Sequence, residues 1–84
     1  SRKLSIFPNP TNGKLTIRVP WQNGNNIFLS LWDISGKQIL GERFDSPNSF
    51  ITLNLTDFYP SGLYFVRLSQ GADYYTGKIV KTSL

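Results

Sequence analysis

The 84 residues include no cysteine, no histidine and no methionine, and five carboxylates stand against nine lysines and arginines. Each shortage closes off a kind of chemistry. Without cysteine there is no disulfide and no thiolate metal site, so stability falls on packing, while the redox compartment stays open. Without histidine or cysteine, nucleophilic and acid–base catalysis lose their usual base and their most reactive nucleophile. Of the carboxylates Asp33, Glu42, Asp45, Asp57 and Asp73, four fall in or beside turn signals, where Asp bonds back to local amides. None has the Asp-x-Asp spacing of a calcium or magnesium loop. The sequence therefore reads as a non-enzyme with no cofactor and no metal. No apolar run approaches the ~18 residues of a membrane span, and no signal peptide opens the chain. The lack of an initiating methionine predicts a piece excised from a longer protein, with any leader lying upstream.

What is present suits a small β domain. Hydrophobic residues at 39% and aromatics at 14% are ample for a core and too many for a disordered tail. The length predicts one domain over residues 1–84. A net charge of +4 reads first as a soluble surface, with adhesion to an anionic surface as the alternative. Lysine and arginine are scattered, and no helical, zinc or RNP-type motif accompanies them, so nucleic acid is not an expected partner.

The hydrophobic pattern has a period of two almost throughout. Leu4 to Phe7 is a short strand, stopped by Pro8-Asn9-Pro10-Thr11-Asn12-Gly13, where two prolines and a glycine exclude both helix and ladder pairing. Lys14 to Val19 puts Leu15, Ile17 and Val19 on one face. Ile27 to Asp33 does the same with Ile27, Leu29 and Leu31, leaving Phe28, Ser30 and Trp32 opposite. Asp33-Ile34-Ser35-Gly36-Lys37 fits a hairpin loop, with Gly36 at a left-handed position and Asp33 bonding back to the turn. Gln38 to Phe44 returns, less regular at Gly41. After a turn at Asp45–Asn48, Phe50 to Leu55 directs Ile51, Leu53 and Leu55 inward.

Pro60-Ser61-Gly62 reads as a tight turn into the most β-rich stretch. There Tyr64, Val66 and Leu68 share one face and Leu63, Phe65 and Arg67 the other. Both faces are largely apolar, which predicts a central strand covered on both sides. A loop at Gln70–Asp73 leads to the last strand, Tyr74 to Thr82. Seven short strands with no helical window predict an all-β, seven-stranded antiparallel sandwich of immunoglobulin-like size, with a small barrel as the alternative.

Two motifs invite functional readings of their own. Asn54-Leu55-Thr56 matches a glycosylation acceptor, but Leu55 belongs to the inward face. Trp21, Trp32, Tyr59, Tyr74 and Tyr75 could form a stacking platform for sugars, making a carbohydrate-binding or adhesive module the alternative function; the plainer reading is that most of them cover the sheets.

Four blocks, in order, resemble the C-terminal sorting domain of the type IX (Por) secretion system. Phe7-Pro8-Asn9-Pro10-Thr11-Asn12-Gly13-Lys14-Leu15 is similar to the family's amino-terminal block, and Leu31 to Ile39 to its Asp-x-x-Gly-Lys hairpin. Pro60 to Leu68 resembles its Gly-x-Tyr-x-Val-Arg-Leu strand, and Lys78-Ile79-Val80-Lys81 its closing motif. The resemblance implies an immunoglobulin-like sandwich serving as a secretion signal. It would take an upstream passenger of the same chain from the periplasm across the outer membrane. There a translocon reads the signal and a cysteine-type sortase removes it, leaving the passenger at the cell surface or secreted. The residues implied to carry recognition are Gly62, Tyr64, Val66, Arg67, Leu68, Lys78, Ile79, Val80 and Lys81. Pro8, Asn9, Pro10, Gly13, Asp33, Gly36 and Lys37 are implied as structural motif. An exposed last strand is expected to offer backbone groups for strand addition by a partner or for self-association. Lys78 and Lys81, three apart, are expected on opposite faces.

Overall fold

The computed structural model describes residues 2–56 and 59–82; Asp57, one of the expected turn carboxylates, lies outside them. Each alternating apolar segment becomes a strand: β1 (Ile6–Phe7), β2 (Lys14–Arg18), β3 (Ile27–Trp32), β4 (Gln38–Phe44), β5 (Phe50–Asn54), β6 (Gly62–Gln70) and β7 (Asp73–Lys81). They form a three-stranded sheet, β1-β2-β5, and a four-stranded sheet, β4-β3-β6-β7, antiparallel at every strand pair. The two sheets remain separate, so the barrel alternative is set aside.

One core joins them. Leu15, Ile17, Ile51 and Leu53 from the smaller sheet meet Ile27, Leu29, Leu31, Tyr64, Val66, Leu68 and Ile79 from the larger, with Val19 and Leu55 at the strand ends. Cross-strand register sets this up, since Leu15 faces Leu53 and Ile17 faces Ile51, while Leu29 faces Leu68 and Leu31 faces Val66. A one-residue slip would turn each set to solvent.

The expected cover over both faces of β6 is absent. The strand is central in its sheet, but Phe65 is 40% exposed and Arg67 is also exposed. Among the described residues there are two layers only, and no third lies over the outer face. The irregularity expected at Gly41 falls instead at Ile39, where the pairing of Leu31 with Leu40 steps to Trp32 with Gln38. One extra residue on β4 makes a bulge. Gly41 keeps its register opposite Ser30, and a Cβ there would meet the Phe28 ring at 3.0 Å.

Leu4 leaves the expected first strand because its amide donates to the Thr76 carbonyl (2.8 Å) on β7 in the other sheet. The chain passes from one sheet to the other here, since the carbonyl of the next residue, Ser5, already accepts from the Arg18 amide at the end of β2 (3.0 Å). Gly77 makes that crossing possible, since a Cβ on it would lie 2.6 Å from Ile6 Cδ1 and 3.2 Å from Leu4 Cβ.

Candidate functional site

The blocks implied to carry recognition divide sharply once placed. Tyr64, Val66, Leu68 and Ile79 are core residues, and they act on any partner only through the fold. Tyr64 is 4% exposed, its ring stands edge-on to Tyr59, and its hydroxyl donates to the Pro60 carbonyl at 2.5 Å. Burial holds its phenol above the usual tyrosine range, with the Asp33 charge and Tyr59 adding to the shift. Gly62 opens β6 at φ +152° with open space where a Cβ would stand, so its role is conformational.

Lys78 and Lys81 do face opposite ways. Lys78, opposite Phe65, is exposed on the outer face. Lys81 is 7% exposed and its Nζ donates to the Tyr59 carbonyl at 2.6 Å. Lys81 is therefore no surface charge, and its removal would leave the partly buried Tyr59 carbonyl without this donor.

The outer edge of β7 is not bare, contrary to the expectation of a free last strand. A strap from the other end of the chain covers it. The Thr76 amide donates to the Arg2 carbonyl (3.0 Å) and the Thr76 carbonyl accepts from Leu4. Further along, the Asn9 carboxamide imitates a strand: its Nδ2 donates to the Lys78 carbonyl (2.7 Å) and its Oδ1 accepts from the Val80 amide (2.9 Å). The Thr11 amide then donates to the Val80 carbonyl (2.9 Å) and the Thr82 amide to the Thr11 carbonyl (2.8 Å). Pairing thus does occur within a segment whose prolines excluded a ladder, because Asn9 supplies side-chain groups and Thr11 is free of the proline constraint. The peptide bonds before Pro8 and Pro10 are both cis.

Thr11 is itself buried. Its hydroxyl accepts from the Gly13 amide (3.0 Å) and donates to the Lys14 carbonyl (2.5 Å). Gly13 has φ +144°, and a Cβ there would sit 2.3 Å from Thr56 Cγ2. The first and last blocks of the motif series, about seventy residues apart, thus form one physical unit.

The middle block is local. Asp33 Oδ1 accepts from the Ser35 hydroxyl (2.6 Å), the Ser35 amide (2.9 Å) and the Lys37 amide (3.1 Å). Gly36 has φ +87°, as the hairpin reading expects. These bonds, the Ser35 hydroxyl foremost, hold the Asp33 carboxyl below the usual carboxylate range against slight desolvation, with the Lys37 amide and charge helping.

The outer face of the larger sheet gathers the exposed recognition residues. Arg67 lies over the Trp32 ring at 5.2 Å from its centroid and the Tyr74 ring at 5.4 Å, within cation–π range. Trp32 pairs with Phe65, Phe65 with Lys78, and Leu63 with Val80. Beside this stripe runs a shallow groove of about 540 Å³, lined in part by Lys3, Trp32, Phe65, Arg67 and Lys78. The five aromatics weighed as a sugar platform are dispersed: Trp21 stands edge-on to Tyr75 (5.4 Å), Tyr59 packs on Tyr64, and Trp32 and Tyr74 engage Arg67. Sequence reading missed Gly77, Asn9's part in the ladder and the clasp on Arg67. The one signal for the clasp was aromatic residues alternating with Arg67 on neighbouring outward faces.

Searches of curated proteins and of solved structures found no match. The family model described as the secretion system C-terminal sorting domain matches residues 5–82, spanning all four blocks and both sheets. The chain belongs to that family, the type IX (Por) sorting domains.

Proposed function

We propose that this domain is a folded C-terminal secretion signal, carrying an upstream passenger across the outer membrane through the type IX translocon and then removed by a cysteine-type sortase. The domain itself catalyses nothing in this reading; it is ligand and substrate. The observation that carries it is the meeting of the family's first and last blocks on one sheet edge, where Asn9 and Thr11 bond Lys78, Val80 and Thr82. A signal read while folded must present a fixed surface, and this clamp fixes an edge strand that would otherwise be held only by β6.

An immunoglobulin-like lettering supports the same reading. The sheets β1-β2-β5 and β4-β3-β6-β7 follow the A-B-E and C′-C-F-G arrangement. Tyr64, bonded to a carbonyl four residues upstream, matches the tyrosine corner of such folds.

The test is a fusion of these residues to an inert periplasmic protein in a type IX-competent cell. The passenger should reach the surface, and deletion of Lys78 to Leu84 should hold it in the periplasm. Periplasmic retention of the intact fusion, with the domain folded by thermal melting, overturns the reading. Val80→Pro is no clean probe of partner pairing, because the Val80 amide already serves Asn9.

A further inference from the structure

Resting on the reading of the domain as a signal recognised in its folded state, we propose that the outer face of the four-stranded sheet docks an acidic segment of a protein partner. Arg67 is its carboxylate anchor, and Lys3 and Lys78 flank it. The argument starts from charge. Lys3, Arg67 and Lys78 line the groove, and no described carboxylate does. Asp73 lines a neighbouring depression with Tyr74 and Thr76 and is engaged by Arg2 at 3.0 Å. Desolvating this face against a neutral partner would leave cations without counter-charge, whereas an acidic one complements it.

Arg67 is also set in place. Ser30 and Thr76, both small, flank it in cross-strand register, while Trp32 and Tyr74 supply ring faces at 5.2 and 5.4 Å. A guanidinium held between rings presents its planar fork with less rotamer freedom to lose, which suits bidentate carboxylate recognition. Exposed Phe65 and half-buried Trp32 beside it provide the apolar contact typical of interface anchors. An anionic membrane is the poorer fit, since surface adsorption calls for clusters of about four to eight basic residues and this groove has three.

The probe is hexaglutamate, acetylated and amidated at its ends, titrated into the domain while the Trp32 indole N–H and the Arg67 Nε–H are followed by NMR. Saturable shifts at both Trp32 and Arg67 are expected, weakening with salt. Arg67→Gln should weaken binding about tenfold, the loss of a charge-assisted hydrogen bond. Arg18→Gln, on the outer face of the other sheet, should change it less than about twofold. No saturable shift, or equal loss with Arg18→Gln, overturns the proposal. So does retention of the domain on phosphatidylglycerol vesicles without any response to hexaglutamate. Should Arg67→Gln melt early, the double variant Lys3→Gln, Lys78→Gln replaces it with the same expected and overturning outcomes. In the passenger fusion, normal export of Arg67→Gln beside normal export of the parent refutes the docking face alone. Failure of the parent refutes the sorting reading.

Discussion

Along one edge of the four-stranded sheet, the backbone groups of Thr76, Lys78, Val80 and Thr82 are bonded by the strap of Arg2, Leu4, Asn9 and Thr11. Along the other, β4 has no strand beside it among the described residues and carries a bulge at Ile39 and exposed Glu42 and Arg43. Both edges face the hazard of unplanned strand pairing, and they meet it by different means. The bulge and charges on β4 discourage any added strand. The strap on β7 occupies the sites outright, and a competitor would have to displace it. The difference teaches that the last strand owes the closure of its outer edge to the first dozen residues. A fragment lacking them would keep β7 paired to β6 and leave its outer backbone groups open.

The largest test of that difference is Gly13→Val. It adds a branched side chain at φ +144° where even a Cβ lies 2.3 Å from Thr56. We expect a loss of about 3 kcal/mol in urea unfolding, against a total of about 4–13 kcal/mol for a domain of this length. The counterpart on the β3–β4 hairpin, Gly36→Ala, meets open space and should lose about 1–2 kcal/mol for its left-handed backbone alone. Equal effects at the two sites would mean that the turn before β2 has no special closeness to Thr56.

Much of this architecture is legible in the residues, and the limit is instructive. Leu15, Ile17, Ile51 and Leu53 declare their inward face through local alternation, a property of neighbours two apart. Gly36 and Asp33 declare their hairpin through the chemistry of five consecutive residues. The strap has no such local signature. Asn9 meets Lys78 and Val80 across about seventy residues, and a carboxamide that replaces a backbone pair looks like any loop asparagine. Lys81 is a related case: alternation sets it opposite Lys78, but its acceptor is a single carbonyl at Tyr59, which no spacing rule marks.

Asn9→Ala should have a middling effect. It removes both carboxamide bonds from an exposed site, a loss of about 1 kcal/mol. Its specific sign is faster hydrogen exchange at the Val80 amide, with β2 and β5 amides unchanged. Asn9→Asp should restore protection at Val80 by keeping the acceptor, while the Lys78 carbonyl stays without its donor. If Val80 exchanges at its original rate in Asn9→Ala, the strap is not what closes this edge.

The smallest effect belongs to the β4 side and is read by pH. The Asp33 carboxyl is held below its ordinary range by the Ser35 hydroxyl and the turn amides, so folding favours its charged form. That contribution is complete above the unfolded-state pKa and fades as pH falls through the folded one. Asp33→Asn should flatten this acid-side decline in melting temperature, and the difference should vanish once the carboxyl is protonated. A decline of unchanged slope in the variant would assign it to other carboxylates, leaving the β7 edge with no acid-labile counterpart at the opposite hairpin.

The strap also has a mechanical consequence. Its bridges to β7 are parallel, Lys3 beside Thr76 and Thr11 beside Lys81, so Lys3 lies towards the start of β7 and Thr82 follows its other end. A load applied between the two termini pulls the strap and β7 lengthwise past each other. The hydrogen bonds at Thr76, Lys78, Val80 and Thr82 then bear the force together in shear, instead of opening one after another like a zip. A domain tugged by both ends during transport would hold until several bonds failed at once, and then give way abruptly.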